Sequence, residues 1–194
     1  MSTLGDLTNS STAQELLELR ASQTAACYLA SCTTTPIPHR VVVGAAIAGT
    51  GSNNPSVLIV QRSADERSYS NEWEIPGGHV DPGESILDAV TREVFEETAL
   101  KVTEVISEFE GFEYWSTKYE EGDSDDVNDK VMSVCTKQLN FCVRVQDVSR
   151  VVLNSEEHQK YAWCTAQSID EYQMTPTMKK VVLDALDAFK AAEN

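Results

Sequence analysis

Two tight turns followed by an amphipathic helix constrain this chain more than any other stretch of it. Trp73-Glu74-Ile75 reads as a brief strand that stops at Pro76-Gly77-Gly78, where proline removes a backbone donor and the glycines allow a sharp turn. Asp81-Pro82-Gly83-Glu84 is a second turn, and a helix is predicted over roughly Ser85 to Thr98. On that helix Leu87, Val90 and Val94 form an apolar stripe fit to pack on a sheet, and Glu93, Glu96 and Glu97 share one side beside it. Like charges three and four residues apart destabilise an isolated helix by roughly 0.2–0.5 kcal/mol per pair, so three carboxylates facing one volume call for a compensating cation.

A divalent ion answers that need. Mg²⁺ prefers oxygen ligands, keeps several waters, and is commonly held by a few carboxylates together with substrate phosphates. A retained water, deprotonated beside such an ion, can attack phosphorus while the charge on the leaving group is neutralised. Gly77 lets the main chain approach a substrate closely, and Gly78 offers an exposed carbonyl as a further ligand. Glu84 stands at the helix start, where the dipole favours a carboxylate, and Arg92 is placed to tie Glu84 or Glu96 through a bidentate pair.

The rest of the chain reads as one α/β domain. Residues 1–12 are small and polar and are expected to be loose; a helix is expected from Thr12 to Ala30, broken by the Thr- and Pro-containing piece 33–38. Arg40 to Ala48 and Val57 to Gln61 are β-branched runs around a turn, expected to pair as a hairpin. Thr103 to Trp115 and Lys130 to Val145 are further strands around an acidic segment, Tyr119 to Lys130, read as a solvated loop. Its Asp123, Asp125 and Asp126 lack the glycine and the bidentate glutamate of a calcium loop. Tyr161 to Cys164 is a last strand, and a helix begins at Thr175 or Thr177.

Composition sets the surroundings. At 194 residues the chain suits a single domain, read as 36–194 behind an N-terminal, partly helical extension, 1–35. Thirty-one Asp and Glu against fifteen Lys and Arg give a formal charge of -16, which disfavours nucleic acid polymers and anionic membrane surfaces as partners. Five cysteines without a zinc-like spacing read as reduced thiols, mostly buried. With no signal-like N-terminus and no long apolar run, a cytoplasmic or nuclear location is expected.

The spacing Gly78, Glu84, Arg92, Glu93, Val94, Glu96, Glu97, Leu100 resembles the Nudix box, Gly-x5-Glu-x7-Arg-Glu-U-x-Glu-Glu-x-Gly-U with U apolar; Ala99 stands where the family has Gly. The resemblance implies an α/β/α sandwich with a mixed β-sheet and hydrolysis of a diphosphate linkage in a nucleotide or other small organic diphosphate, with Mg²⁺ or Mn²⁺ as cofactor. It further implies Glu93, Glu96 and Glu97 as metal ligands, Glu93 being a ligand or the base, Gly78 as a carbonyl ligand, and Arg92 and Glu84 as an orienting pair. Glu156 or Glu157, outside the box, is the place to look for a further ligand or base. Ala99 puts the helix's C-terminal geometry in question, and with it stands a second reading, a Nudix-fold module that binds a nucleotide or protein without cleaving it.

Arg40 and Arg62 flank strands leading to the glycine loop and are candidates to grip a distal phosphate. Trp73, Phe112, Tyr114 and Trp115 are candidates for stacking on a base or prenyl chain, although aromatics in strands more often fill a core. His79 beside the glycine loop could contact phosphate; His39 and His158 read as ordinary structural histidines.

Overall fold

The computed structural model describes residues 4–50, 55–66, 68–120 and 130–192. The chain runs α1 (Leu4–Arg20), α2 (Ala25–Ser31), β1 (Arg40–Ile47), β2 (Val57–Arg62), β3 (Trp73–Glu74), α3 (Ile86–Thr98), β4 (Val102–Glu120), β5 (Lys130–Val145), β6 (His158–Cys164), a 3-10 turn (Ile169–Glu171) and α4 (Pro176–Ala192). Two three-stranded sheets result, β1-β5-β4 and β3-β2-β6. β1 runs parallel to β5 and every other pairing is antiparallel, so the first sheet is mixed.

Alternation along the strands divides the interior into two cores. Val41, Val43, Ala45 and Ile47 of β1, with Leu58, Leu139 and Phe141, point to the side where Ile86, Ala89, Val90 and Val94 of α3 lie. Ala46, Val57, Ile59 and Cys142 point the other way, onto Val181, Val182, Leu186 and Phe189 of α4. Strands therefore lie between helices on both faces, the α/β/α sandwich.

The first helix departs from expectation twice. It starts at Leu4, so residues 4–12 are helical, and it ends at Arg20, after which Thr24 caps a separate α2 by accepting the Cys27 N–H. A capping hydroxyl in mid-segment ends one helix and begins the next. Leu17 of α1 is buried in the α3-side core, with Ala25, Tyr28 and Leu29 of α2 packed against it.

The expected β1–β2 hairpin does not form: the two strands meet at one bridge, Ala48 with Val57, and belong to different sheets. One edge of β1 is taken by β5, and the other by the glycine loop. Val43 N–H donates to Gly78 O at 2.8 Å, Ala45 N–H to Pro76 O at 2.7 Å, and Val80 N–H to Val41 O at 3.3 Å. With both edges of β1 filled, β2 pairs with β3 and β6 instead. Residues 121–129, which hold most of the acidic segment expected as a solvated loop, and residues 51–54, within the stretch expected as a turn, lie outside the described residues. All five cysteines are free; Cys135, Cys142 and Cys164 are buried. Among the described residues no helix is long and apolar enough to cross a membrane.

Candidate active site

The glycines of the loop are required by what they touch. A Cβ on Gly77 would lie 2.1 Å from Val43 O, and one on Gly78 would lie 2.5 Å from Glu93 Oε1. The loop is thus clamped between β1 and the carboxylate face of α3 with no room for a methyl group. α3 is held at both ends. Ser85 Oγ accepts the Asp88 N–H at 3.1 Å, and Ala99 adopts the left-handed conformation (φ 56, ψ 12) with its N–H on Phe95 O at 2.9 Å.

Arg92 organises the outer half of the acidic face. Its Nε and Nη2 donate to the two oxygens of Glu84, each at 2.9 Å, a bidentate pair. Nη1 donates to Glu93 and to Glu96 at 2.9 Å, and Nη2 to the His79 carbonyl at 2.8 Å. The hydrogen bond from Arg92 holds the Glu84 carboxyl below its usual pKa. Glu93, nearly buried, has its pKa raised by burial despite Arg92, with Glu96 and Glu157 adding to the rise. Glu96 is exposed.

Glu97 lies deeper, 4% exposed, with Oε2 accepting the Gly77 N–H at 2.9 Å. Burial raises its pKa well above the carboxylate range; Gly77 works against this, while the charges of Glu74, Glu93 and Glu157 add to it.

The turn before β6 completes the arrangement. Asn154 N–H donates to Glu97 O at 3.1 Å and Val152 N–H to Thr98 O at 2.9 Å, which fastens this turn to the end of α3. Asn154 Nδ2 donates to Glu157 Oε1 at 2.9 Å, and Glu157 lines the same cleft as Glu93, Glu96 and Glu97. Glu156 is exposed and does not line the cleft. Next to Glu157, His158 is 1% exposed with neither ring nitrogen hydrogen-bonded, and its Nε2 lies 3.6 Å from Glu74 Oε1 and 4.0 Å from Glu97 Oε1. One ligand atom each from Glu97, Glu157 and His158 fall within 4.8 Å of one another. Neither His158 nor Glu74 carried a local signal, since both reach the site through the pairing of β2 with β3 and β6.

This donor set suits a hard divalent cation. Glu93 and Glu97 are buried near exposed Glu157, Arg92 pairs with Glu93 while Glu97 takes the Gly77 N–H, and the oxygen atoms of these carboxylates are what such an ion prefers. Glu93, Glu97 and Glu157, with Glu96 and the second lone pair of the Gly78 carbonyl, are the groups that could hold it.

The cleft around them has a volume of about 710 Å³ and is also lined by Arg40, Arg62, Trp73, Phe112 and Tyr114. Arg62 is bound up in the scaffold: it pairs with Glu66 and Glu74, each at 2.7 Å, and donates to Ser68 O. Trp73 packs edge-on against Tyr172, ring centroids 5.0 Å apart. His39 accepts the Cys135 N–H at Nδ1 and packs edge-on against Trp115, outside the cleft.

A NUDIX domain model matches residues 38–185. The nucleoside triphosphatase NudI of Escherichia fergusonii is 26% identical over 134 residues, which is 67% of this chain and 87% of that protein. An m7GpppN-mRNA hydrolase of Danio rerio is 40% identical over 70 residues, 35% of this chain and 23% of the relative. Of solved structures, the NUDIX domain of Shewanella oneidensis NrtR complexed with ADP ribose shares the fold, with a TM-score of 0.54 at 18% identity, covering 86% of this chain and 99% of that one. The matched span takes in the glycine loop, α3, the Glu157 turn and most of both cores, and the chain belongs to the Nudix family as a pyrophosphate hydrolase.

Proposed function

We propose that this protein is a divalent-metal-dependent hydrolase of a nucleotide or similar small organic diphosphate. The observation that carries the reading is the meeting of buried Glu93 and Glu97 with Glu157, a residue far away in sequence, against the glycine loop. Like charges in a dry place are costly unless a cation joins them. Mg²⁺, or Mn²⁺, would be held by Glu93, Glu97 and Glu157, with Glu96 and the Gly78 carbonyl within the same face. When bound, such an ion lowers the pKa of a water and screens phosphate charge.

The chain's own groups account for the rest. Arg92 keeps Glu93 and Glu96 facing the loop and anchors them to Glu84 at the other end of the helix. Gly77 N–H orients Glu97, leaving its Oε1 toward His158. Glu157 and Glu93 are the candidate bases: whichever of the two is not a ligand of the ion would take a proton from water entering the cleft, and Asn154 holds one oxygen of Glu157. A cleft of about 710 Å³ is of the size that takes a nucleotide. The name of one relative, a nucleoside triphosphatase, points to the same substrate class. The binding-only reading rested on Ala99, and Ala99 closes α3 in the left-handed conformation that Gly would use, which leaves the glutamates' helix intact.

The test is a ³¹P NMR product assay over nucleoside triphosphates, nucleotide sugars, dinucleoside polyphosphates, inositol pyrophosphates and prenyl diphosphates, with Mg²⁺ and with EDTA, on the parent and on Glu97→Gln. Cleavage that needs the metal and is lost in the variant is expected. Binding without any product would sink the hydrolase reading.

A further inference from the structure

Two arginines line the cleft, and their surroundings differ in kind. Arg62 is sandwiched between Glu66 and Glu74, so its charge is cancelled on the spot. Arg40, the first residue of β1, is partly buried, and among the described residues it makes no ion pair with a carboxylate. Its Nε donates to Thr136 Oγ1 at 2.7 Å and its Nη2 to Ser116 Oγ at 3.3 Å. Both acceptors are neutral hydroxyls, which orient the guanidinium without neutralising it. Of its five N–H donors these use two, leaving both hydrogens of Nη1 and one of Nη2, a fork matched to two oxygens of one anion.

Strand register places this group. Arg40 stands opposite Thr136 of β5, which stands opposite Tyr114 of β4, so one row across the sheet brings the guanidinium and the Tyr114 side chain to the cleft with Thr136 buried between them. Gly78 is bonded to Val43, and Arg40 precedes Val43 by three strand positions, about 10 Å along β1. The cleft thus has an acidic, metal-suited face and, at the start of β1, a cation that makes no ion pair among the described residues. In a chain of formal charge -16 a carboxylate partner for Arg40 would be easy to supply, yet Thr and Ser stand there.

We propose that Arg40, oriented by Thr136 and Ser116, is a second anion site, and that the substrate is an organic diphosphate carrying a separate phosphomonoester. This deepens the function proposed above and rests on it for which end is cleaved. A guanine edge could also accept the fork, but its neutral oxygen and nitrogen would leave the guanidinium charge uncompensated.

The experiment uses two matched pairs that differ by one phosphomonoester, dephospho-coenzyme A with coenzyme A and NAD with NADP. Binding is measured by calorimetry with Mg²⁺ in the Glu97→Gln background, with Arg40 intact, as Arg40→Ala and as Arg40→Lys. In at least one pair the phosphorylated member should bind about 10-fold to 100-fold tighter, as a charge-assisted pair allows. That preference should vanish in Arg40→Ala and survive in part in Arg40→Lys. No preference in either pair, no binding of any of the four, or a preference that persists in Arg40→Ala would overturn the anion site. So would a preference for GDP over ADP that Arg40→Ala removes, since Arg40 would then read a base. Hydrolysis of the same four compounds by the parent chain is followed in parallel by ³¹P NMR. Phosphate-selective binding with no hydrolysis of any diphosphate would strike the proposed function and leave the anion site standing; hydrolysis without selectivity would do the reverse.

Discussion

Glu97 meets two opposed demands. As the proposed metal ligand it would have to be charged, yet it is 4% exposed, and burial above all raises its pKa, with the charges of Glu74, Glu93 and Glu157 adding to the rise. A carboxyl whose folded pKa lies above its unfolded value keeps its proton in the fold where the unfolded chain has lost it. Metal-free stability therefore falls as pH rises from the ordinary carboxylate range through the raised pKa. Glu97→Gln retains an acceptor for the Gly77 N–H and cannot ionise. In EDTA near pH 7.5 the variant should melt above the parent, by about 2–4 °C for each kcal/mol relieved, and the gap should close as pH falls toward about 4.5. Adding Mg²⁺ should raise the melting temperature of the parent far more than that of the variant. Scanning calorimetry reads all three, and equal melting temperatures at both pH values would mean that Glu97 bears no uncompensated charge. At this scale the helical period made Glu93, Glu96 and Glu97 legible as one face, because all three lie on one helix. Glu157 was one of two candidates, with Glu156, suggested by the family resemblance, while His158, beside it, looked ordinary until β6 buried it against Glu74 and Glu97.

Among the elements, α3 and the glycine loop follow local chemistry: Ser85 caps, the apolar stripe packs, and the glycines fit where a Cβ would not. Ala99 is the element's one strained residue, an L-residue at φ 56 closing the helix. Ala99→Gly should stabilise the protein by about 1 kcal/mol, seen as a higher denaturation midpoint, with turnover unchanged. A loss of stability would show that the methyl group contributes packing that outweighs its strain. The β1–β2 hairpin was misjudged at this same scale. Adjacent β-branched runs around a turn pair readily, but here the loop 76–80 occupies the edge of β1 that a hairpin would need. Hydrogen-bonding capacity at an edge is spent once, and which segment takes it is a long-range choice.

For the whole molecule, α1 and α2 are fastened to the domain behind the site. Leu17 is buried in the α3-side core, Arg20 pairs with Glu108 with both side chains mostly buried, and Gln23 O accepts the Ile86 N–H at 2.9 Å at the start of α3. Removing residues 1–35 would expose apolar surface, strand Glu108 and free the first turn of the helix that carries the glutamates. Burial of Leu17 alone is worth about 1.5–3 kcal/mol, so the shortened chain should melt at least about 5 °C lower and bind Mg²⁺ more weakly by calorimetry. An unchanged melting temperature would mean that the two helices merely lie on the surface.

What the sequence by itself determined was whatever a short window encodes: the turn, the helix, its two faces, and the charges at fixed spacing that mark the family. These rest on backbone sterics and a 3.6-residue period, which act within a few residues. Only the tertiary structure decided that Glu157 and His158 join Glu97, that Arg62 pairs with Glu66 and Glu74 while Arg40, among the described residues, donates to hydroxyls, and that the glycine loop serves as the edge of β1. Those outcomes depend on which strands pair and in which register, and that is settled by competition among distant segments for the same edges and the same two cores.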